Sequence, residues 1–430
     1  MDLFFQNAAI VDVENGKVTD GSIAVKDGII TAIGEIQPEN GMKVIDCTGL
    51  YAAPGLINMH VHLFGTGRPA KALGGGKAQE RLVKIVKTPL GKIVLRKLME
   101  SAAETQLLSG VTTVRTVGDF CGIDFELKKK TEEFKGRARG LRMFVSGYAI
   151  TVPGGHGAGT FALVGRTEEE LEKLVDEAVE KGADLIKICI TGGVMDAKKR
   201  GEPGEVRMEQ KYVKAVCDRA HAFGKKVAAH VQSSRGAEIA AFGGVDTIEH
   251  GAPLTAEAAG ELSRRGGAVI VTYSPALPNA RLGSEATKLN ETAQYNSEVV
   301  MNGMTECATE AARYGIKIGL GTDASCPFCT QSGTWRELVY YSKCVGVSAA
   351  ETLKTATLGN AEILGIADKT GSLAVGKSAD IVFLHSDPFK DLSAYRDIKY
   401  ISAQKRFIVD PKPKRMPDIE SLLDEMSAKL

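Results

Sequence analysis

Seven histidines occur in the chain, and four of them sit at or beside the ends of short apolar runs. His60 and His62 close GLINMHVH (55–62), His230 lies near the end of KVAAHV (226–231), and His250 lies near the end of TIEHG (247–251). Asp323 ends the run IKIGLGTDA (316–324) in the same way. Lys187 interrupts DLIKICI (184–190), a cation in the middle of an apolar strand. Alternate residues of a strand share a face, so His60 and His62 point into one place. Two adjacent imidazoles, two more and a carboxylate suit a divalent transition metal better than mutual hydrogen bonding. Burial drives a lysine toward its neutral amine. That amine adds CO₂ to give a carbamate, an anion whose two oxygens bridge two cations. Four imidazoles and one carboxylate are too few to hold two dications, so the pattern predicts a carboxylated Lys187 in a binuclear centre. The plainer alternative is a lysine paired with an acid at its strand end.

These residues have to be placed by the elements that carry them. Eight apolar runs read as strands: 55–62, 111–119, 141–150, 184–192, 226–231, 247–251, 268–274 and 316–324. Amphipathic stretches such as EEELEKLVDEAVEKG (168–182) and EQKYVKAVCDRAHAFG (209–224) separate them, with apolar residues at helical spacing and a glycine stop. Eight strand–helix units over 54–365 predict an α/β chain built as a (β/α)₈ TIM barrel. A doubly wound open sheet is the alternative, but no GxGxxG follows the first strand. Barrel enzymes carry their chemistry at the C-terminal strand ends, where the histidines and Asp323 fall. Residues 1–53 and 366–412 instead alternate with period two between turn signals. They predict one small β-sandwich built from both chain ends. Residues 413–430 read as a C-terminal helix after a proline-rich break.

Composition narrows the partners. Lysine plus arginine number 54 and aspartate plus glutamate 53, so no bulk charge suggests a nucleic acid. No apolar stretch reaches the roughly 18 residues that span a bilayer, and no membrane partner is expected. The opening MDLFFQNAAIVDV lacks a basic segment before an apolar one and reads as a first strand. Eight cysteines lie scattered in apolar segments, which suits reduced thiols in a cytoplasmic protein. CPFC (Cys326 to Cys329) has no second CxxC and reads as a loop with two thiols near the site, with a redox motif as the alternative. The glycine- and lysine-rich stretch from Phe64 to about residue 85 lacks the P-loop Ser or Thr. It reads as a loop over the mouth, a candidate lid whose cations attract an anionic substrate.

The motifs PGLINMHVHL (54–63), GVTTVRTVG (110–118), GGHG (154–157), DLIKICITGGVM (184–195), AAH (228–230), IEHG (248–251), GTDAS (321–325) and GSLAVGKSADIVFLHSDP (371–388) resemble the amidohydrolase superfamily. The likeness is to its binuclear, carboxylated-lysine form, in the prolidase and imidazolonepropionase-related branch. That resemblance implies that His60, His62 and Asp323 hold a buried cation, His230 and His250 a more exposed one, and carboxylated Lys187 bridges them. Zinc is the default metal for this donor set. The implied reaction is hydrolysis of a C–N amide bond in a small molecule, a dipeptide or N-acyl amino acid, by a metal-bridging hydroxide. Asp323 moves the proton to the leaving amine, and His156 donates to the carbonyl oxygen or oxyanion. Homo-oligomers are common among such relatives and are expected here.

Departures from the branch bear on the substrate. Gln232 stands where relatives place a carboxylate-binding tyrosine, and Arg235 follows as a possible carboxylate anchor. Thr116 replaces an aspartate. Tyr148 and Tyr273, at the ends of strands three and seven, are candidates to line the pocket; core packing is the alternative, the slightly favoured one for Tyr148. Cyclic-amide, urea and carbamate hydrolysis stay open, as does deamination, although many deaminase relatives use one metal and lack the bridging lysine. A non-catalytic scaffold is disfavoured because all six ligand positions are filled.

Overall fold

Period-two alternation and turn glycines lay down β1 (Leu3–Asp12), β2 (Lys17–Lys26), β3 (Ile29–Gly34), β4 (Lys43–Asp46) and β5 (Tyr51–Pro54). A computed structural model describes residues 2–69, 76–194 and 196–430. The middle of the chain supplies β6 (Leu56–Val61), β7 (Val111–Thr116), β8 (Arg142–Phe144), β9 (Ala149–Thr151) and β10 (Ala162–Val164). It continues with β11 (Leu185–Cys189), β12 (Lys226–Val231), β13 (Thr247–His250), β14 (Ala268–Val271) and β15 (Lys317–Leu320). The last three are β16 (Ile381–Leu384), β17 (Ile398–Ala403) and β18 (Arg406–Val409).

The two chain ends share one sheet of eight strands in the order β18-β17-β16-β5-β1-β2-β3, with β4 paired to β1. β5 from the front of the chain pairs antiparallel with β16 from the back. Phe5 and Phe383 meet beneath it with ring centroids 4.6 Å apart. The β2–β3 turn packs on the β17–β18 turn at Gly28, where φ is +81° and any Cβ would lie 2.6 Å from the Gln404 carbonyl oxygen. Only glycine tolerates both conditions.

The middle strands are parallel and mostly buried on both faces, which calls for apolar runs and helical crossovers. They form two segments, β6-β7-β8 and β10-β9-β11-β12-β13-β14-β15. Helices such as Glu168–Glu180 and Gln210–Ala222 connect them, as the spacing predicts. The segments meet on either side. At one seam the Asp184 amide donates to the Val145 carbonyl at 2.8 Å. At the other the Thr322 and Asp323 amides donate to the His60 carbonyl at 3.1 and 2.8 Å.

Two buried asparagines pin that second seam. The Asn360 carboxamide donates to the Ile57 and Leu320 carbonyls at 2.7 and 3.0 Å and accepts from the Leu320 amide at 3.0 Å. Asn58 accepts from the Thr322 amide at 3.1 Å and donates to the Thr322 hydroxyl at 2.8 Å. Gly321 closes the approach, because a Cβ there would sit 2.4 Å from the His60 Cβ.

Three expectations change. The run 141–150 splits into β8 and β9, because Ser146 and Gly147 turn the chain to meet Asp119 and Asp124. The run 268–274 stops at Val271, and Tyr273 already begins the helix Tyr273–Arg281. The lid expectation for 64–85 falls partly on residues 70–75, outside the described residues; its later part is the helix Gly76–Val86. The C-terminal helix spans Pro417–Ser427. No helix among the described residues is long and apolar enough to cross a membrane.

Replacing Asn360 with leucine strands three buried backbone groups at the seam. The expected loss is about 2–4 kcal/mol of unfolding free energy, measured by urea titration. An unchanged midpoint would show that the seam does not depend on this carboxamide.

Candidate metal centre

Five of the seven histidines gather at one end of the parallel strands. His60 and His62 come from β6 and its end, His230 from β12 and His250 from the last position of β13. The ring centroids of His60 and His250 lie 4.8 Å apart, those of His230 and His250 4.6 Å, and those of His60 and His62 5.4 Å. His156 stacks on His230 at 4.3 Å. Donor atoms of His60, His250 and Asp323 all lie within 4.8 Å of one another.

Each imidazole is aimed by a bond to one ring nitrogen. His60 Nδ1 meets the Glu249 carboxylate at 2.8 Å, and His62 Nδ1 the Gly118 carbonyl at 2.6 Å. His250 Nδ1 meets the Thr272 hydroxyl at 2.7 Å, and His230 Nε2 the Gly192 carbonyl at 3.2 Å. Such outer bonds fix tautomer and ring orientation and leave the second nitrogen free to ligate. Asp323 Oδ1 lies 3.1 Å from His62 Nε2 and 3.5 Å from His60 Nε2. Unprotonated, these atoms all carry lone pairs, so a proton or a cation has to stand between them.

Burial pushes the His230 and His250 rings well below their ordinary pKa, and the neighbouring imidazoles His156 and His60 add to it. Both are held neutral, the form a metal requires. Burial opposes ionisation of Asp323, yet His60 and His62 hold it well below the usual carboxylate range. Lys187 lies in the middle of β11 and is buried. Its Nζ has no hydrogen-bond partner among the described residues. Burial lowers its pKa against the opposing pull of Glu249. A buried amine without a partner among the described residues, close to His230, His250 and Asp323, fits a site whose imidazoles and carboxylate would hold divalent cations.

His250 and Asp323 both adopt left-handed backbone, with φ of 67° and 53°. Few non-glycine residues adopt this region, and those that do cluster at turns and functional sites. Successive strand residues face opposite sides. The turn at His250 lets it and Glu249 both reach His60, one through its ring and the other through its carboxylate.

Glu249 and Arg115 complete the floor, and the motif reading assigned neither a role. Arg115 Nη2 donates to both Glu249 oxygens at 2.7 Å, Nη1 to Thr247 at 3.1 Å and Nε to the Met59 carbonyl at 2.6 Å. Burial would raise the Glu249 carboxyl, but Arg115 and His60 hold it below the ordinary range. The signal was present inside IEHG and VRT, as two charged residues in apolar strands. Asp196 was also missed; it takes His156 Nδ1 at 2.5 Å and the Gly193 amide at 2.9 Å.

The remaining expected residues scatter. Gln232 and Arg235 line an open cleft of about 740 Å³ with Pro203, Ala252 and Val300. The Gln232 Oε1 is buried without a partner among the described residues, whereas Arg235 is exposed and paired with Glu238 at 2.6 Å. Tyr148 turns its hydroxyl toward Cys121 and lines a different cleft that contains none of the histidines. Tyr273 is fully buried and bonds Thr305 at 3.0 Å, so it offers a substrate no surface. Both tyrosine expectations are corrected: β8 and β9 diverge around Tyr148, and the early helix start turns Tyr273 into the core. Thr116 spends its hydroxyl on Asp124 at 3.1 Å. Cys326 and Cys329 are free and lie in the turn that follows Asp323, where burial raises both thiols well above their usual pKa.

Residues 51–412 match the model of the amidohydrolase family. The chain is 25% identical over 391 residues to an imidazolonepropionase from Mesorhizobium japonicum, covering 85% of this chain and 86% of that one. A candidate prolidase from Bifidobacterium longum superposes with a TM-score of 0.86 at 35% identity, covering 99% of this chain and 98% of the other. A Xaa-Pro dipeptidase with methionine bound in its active site superposes with a TM-score of 0.78 at 26% identity, covering 95% and 100%. The match runs through every strand that carries a histidine of the cluster, and the chain belongs to the amidohydrolase family of hydrolytic enzymes.

Proposed function

We propose that the enzyme hydrolyses the amide bond of a dipeptide or an N-acyl amino acid at a binuclear metal centre bridged by carboxylated Lys187. The observation that carries this reading is the Lys187 amine, buried, without a partner among the described residues and within charge-interaction range of His230, His250 and Asp323. Similarity to the candidate prolidase and the Xaa-Pro dipeptidase supports the substrate class. In this reading His60, His62 and Asp323 would hold one cation, and His230 and His250 the other. Two divalent cations, zinc by donor preference, supply an acidified water and a polarised substrate carbonyl when bound.

The protein's own groups do the rest. Asp323 accepts the proton of the attacking water as the new C–O bond forms. It returns that proton to the amide nitrogen as the C–N bond breaks, so acid and amine leave with charge balanced. Asp196 fixes His156 at Nδ1 and leaves Nε2 as the free ring nitrogen. With a second proton on the ring, Nε2–H donates to the developing oxyanion. The cleft lined by Gln232 and Arg235 would take the part of the substrate beyond the scissile bond.

We further read the two parallel segments as one closed (β/α)₈ barrel spanning 54–365, with the mixed sheet of 1–53 and 366–412 as a separate small domain. Backbone bonds across both seams support this. So does Arg115, which reaches from β7 to Glu249 on β13, strands that are not neighbours in either sheet.

Asp323→Asn should lower kcat by at least about a thousandfold in a folded protein that keeps its metal; retained turnover would remove Asp323 from the proton path. Lys187→Ala should bind fewer than two metals per chain, and a short carboxylic acid such as propionate should restore part of the activity. Full metal content without the lysine would sink the bridge. Purified protein loaded with Zn²⁺ in bicarbonate should release amine from dipeptides or N-acyl amino acids. If both libraries stay silent while two metals are bound, the peptidase reading falls and ureas, carbamates and cyclic amides come next.

A further inference from the structure

The helices Gly76–Val86 and Pro89–Leu108 form a hairpin after β6 with an unusual outer face. Leu82, Ile85, Leu90, Ile93 and Val94 are 43, 62, 72, 47 and 61% exposed. They make up five of the thirteen exposed large apolar side chains among the described residues. Their spacing at i, i+3 and i+4 puts each set on one side of its helix. The opposite sides are used, since Val83, Val86, Leu95 and Met99 pack into the core.

The same stretch is strongly basic. Six cations and no acid lie between Glu80 and Glu100. Arg96 pairs with Glu126. Arg81, Lys84, Lys87, Lys92 and Lys97 are exposed, with no salt-bridge partner among the described residues. The chain's total of +1 conceals this local surplus. The corner between the helices is tightly built: Thr88 accepts from the Gly91 amide at 3.1 Å and donates to the Ile85 carbonyl at 2.7 Å. A Cβ at Gly91 would lie 2.0 Å from that carbonyl oxygen, so the two faces are locked at a close approach.

We propose that this hairpin is a docking surface for an anionic membrane. Aliphatic side chains flanked by lysines are the composition of helices that lie in a lipid interface, and clustered cations are drawn to anionic headgroups. A two-fold contact with a second copy would set this patch against itself and oppose five unpaired cations with five more. The patch also lacks the tyrosine, tryptophan and methionine that anchor protein interfaces. Lys87 and Lys92 line an adjoining cleft of about 370 Å³ walled by Phe125, Leu163 and Leu174, where one anionic amphiphile would fit. The other charged residues of its lining, Glu177 and Lys181, offset each other. The second helix returns the chain to β7, so its first turns lie at the same end of the parallel strands as His60 and His62. Docking there would turn the metal centre's side of the enzyme toward the lipid.

Vesicle flotation tests this with the metal-loaded full chain. Binding is expected to phosphatidylcholine vesicles containing phosphatidylglycerol, not to phosphatidylcholine alone, and to weaken as salt rises. Removing each charge with Lys84→Gln, Lys87→Gln or Lys92→Gln should weaken it about fivefold. Ile85→Ser with Ile93→Ser should weaken it without changing salt sensitivity or hydrolysis in solution. No flotation with anionic vesicles overturns the proposal, as does binding that these variants leave unchanged. Light scattering that shows an oligomer broken by Ile85→Glu and Ile93→Glu, together with no vesicle binding, would assign the patch to copies of this chain instead.

Discussion

A guanidinium and a carboxylate sealed from water hold the floor of the histidine cluster together. Arg115 chelates both oxygens of Glu249, and Glu249 in turn holds His60. Such a pair is costly to bury and only worthwhile when every remaining donor is satisfied. Here the other guanidinium nitrogens bond Thr247 and the Met59 carbonyl. The pair therefore ties β6, β7 and β13 at fixed spacing before any ligand arrives. Everything above it, including the imidazoles, inherits that spacing.

The site above that floor is arranged against local preference. His250 and Asp323 take left-handed backbone, which is uncommon for any residue other than glycine. Gly321 lets the end of β15 press on His60, and Asn58 and Asn360 bind the seam from within. The surrounding bonds over-determine these positions, which is how strained conformations persist. The reward is convergence: groups from β6, β12, β13 and the loop after β15 meet in a small buried volume.

Charge is handled differently inside and out. Inside, nearly every ionisable group is paired or held neutral, because an uncompensated buried charge is expensive. The buried Lys187 Nζ has no hydrogen-bond partner among the described residues, and burial pushes it toward the neutral amine. Outside, the hairpin after β6 carries cations and aliphatic side chains together, and five of those cations have no salt-bridge partner among the described residues. A balanced total is compatible with both, since composition averages over places that never meet.

The chain alone dictates a parallel α/β middle, a pairing of its two β-rich ends, expected as a sandwich and found as one eight-stranded sheet, and a set of polar residues that stand out in apolar strands. Apolar runs with helical spacing between them dictate the first, and period-two alternation at both ends the second. His60, His62, Lys187, His230, His250 and Asp323 were legible because polar residues in apolar strands are costly and so stand out. Which further groups meet them depends on how the strands are brought together in the fold. Arg115 and Glu249 lie 134 positions apart, and Asp196 lies 40 from His156. No spacing rule links such pairs. Tyr148 and Tyr273 show the reverse: each sits near the end of a predicted strand, yet a one-turn change in where β9 or the following helix begins sends the ring elsewhere. Side-chain direction depends on backbone detail of one or two residues, which periodicity does not resolve, whereas burial of a run depends on its average, which it does.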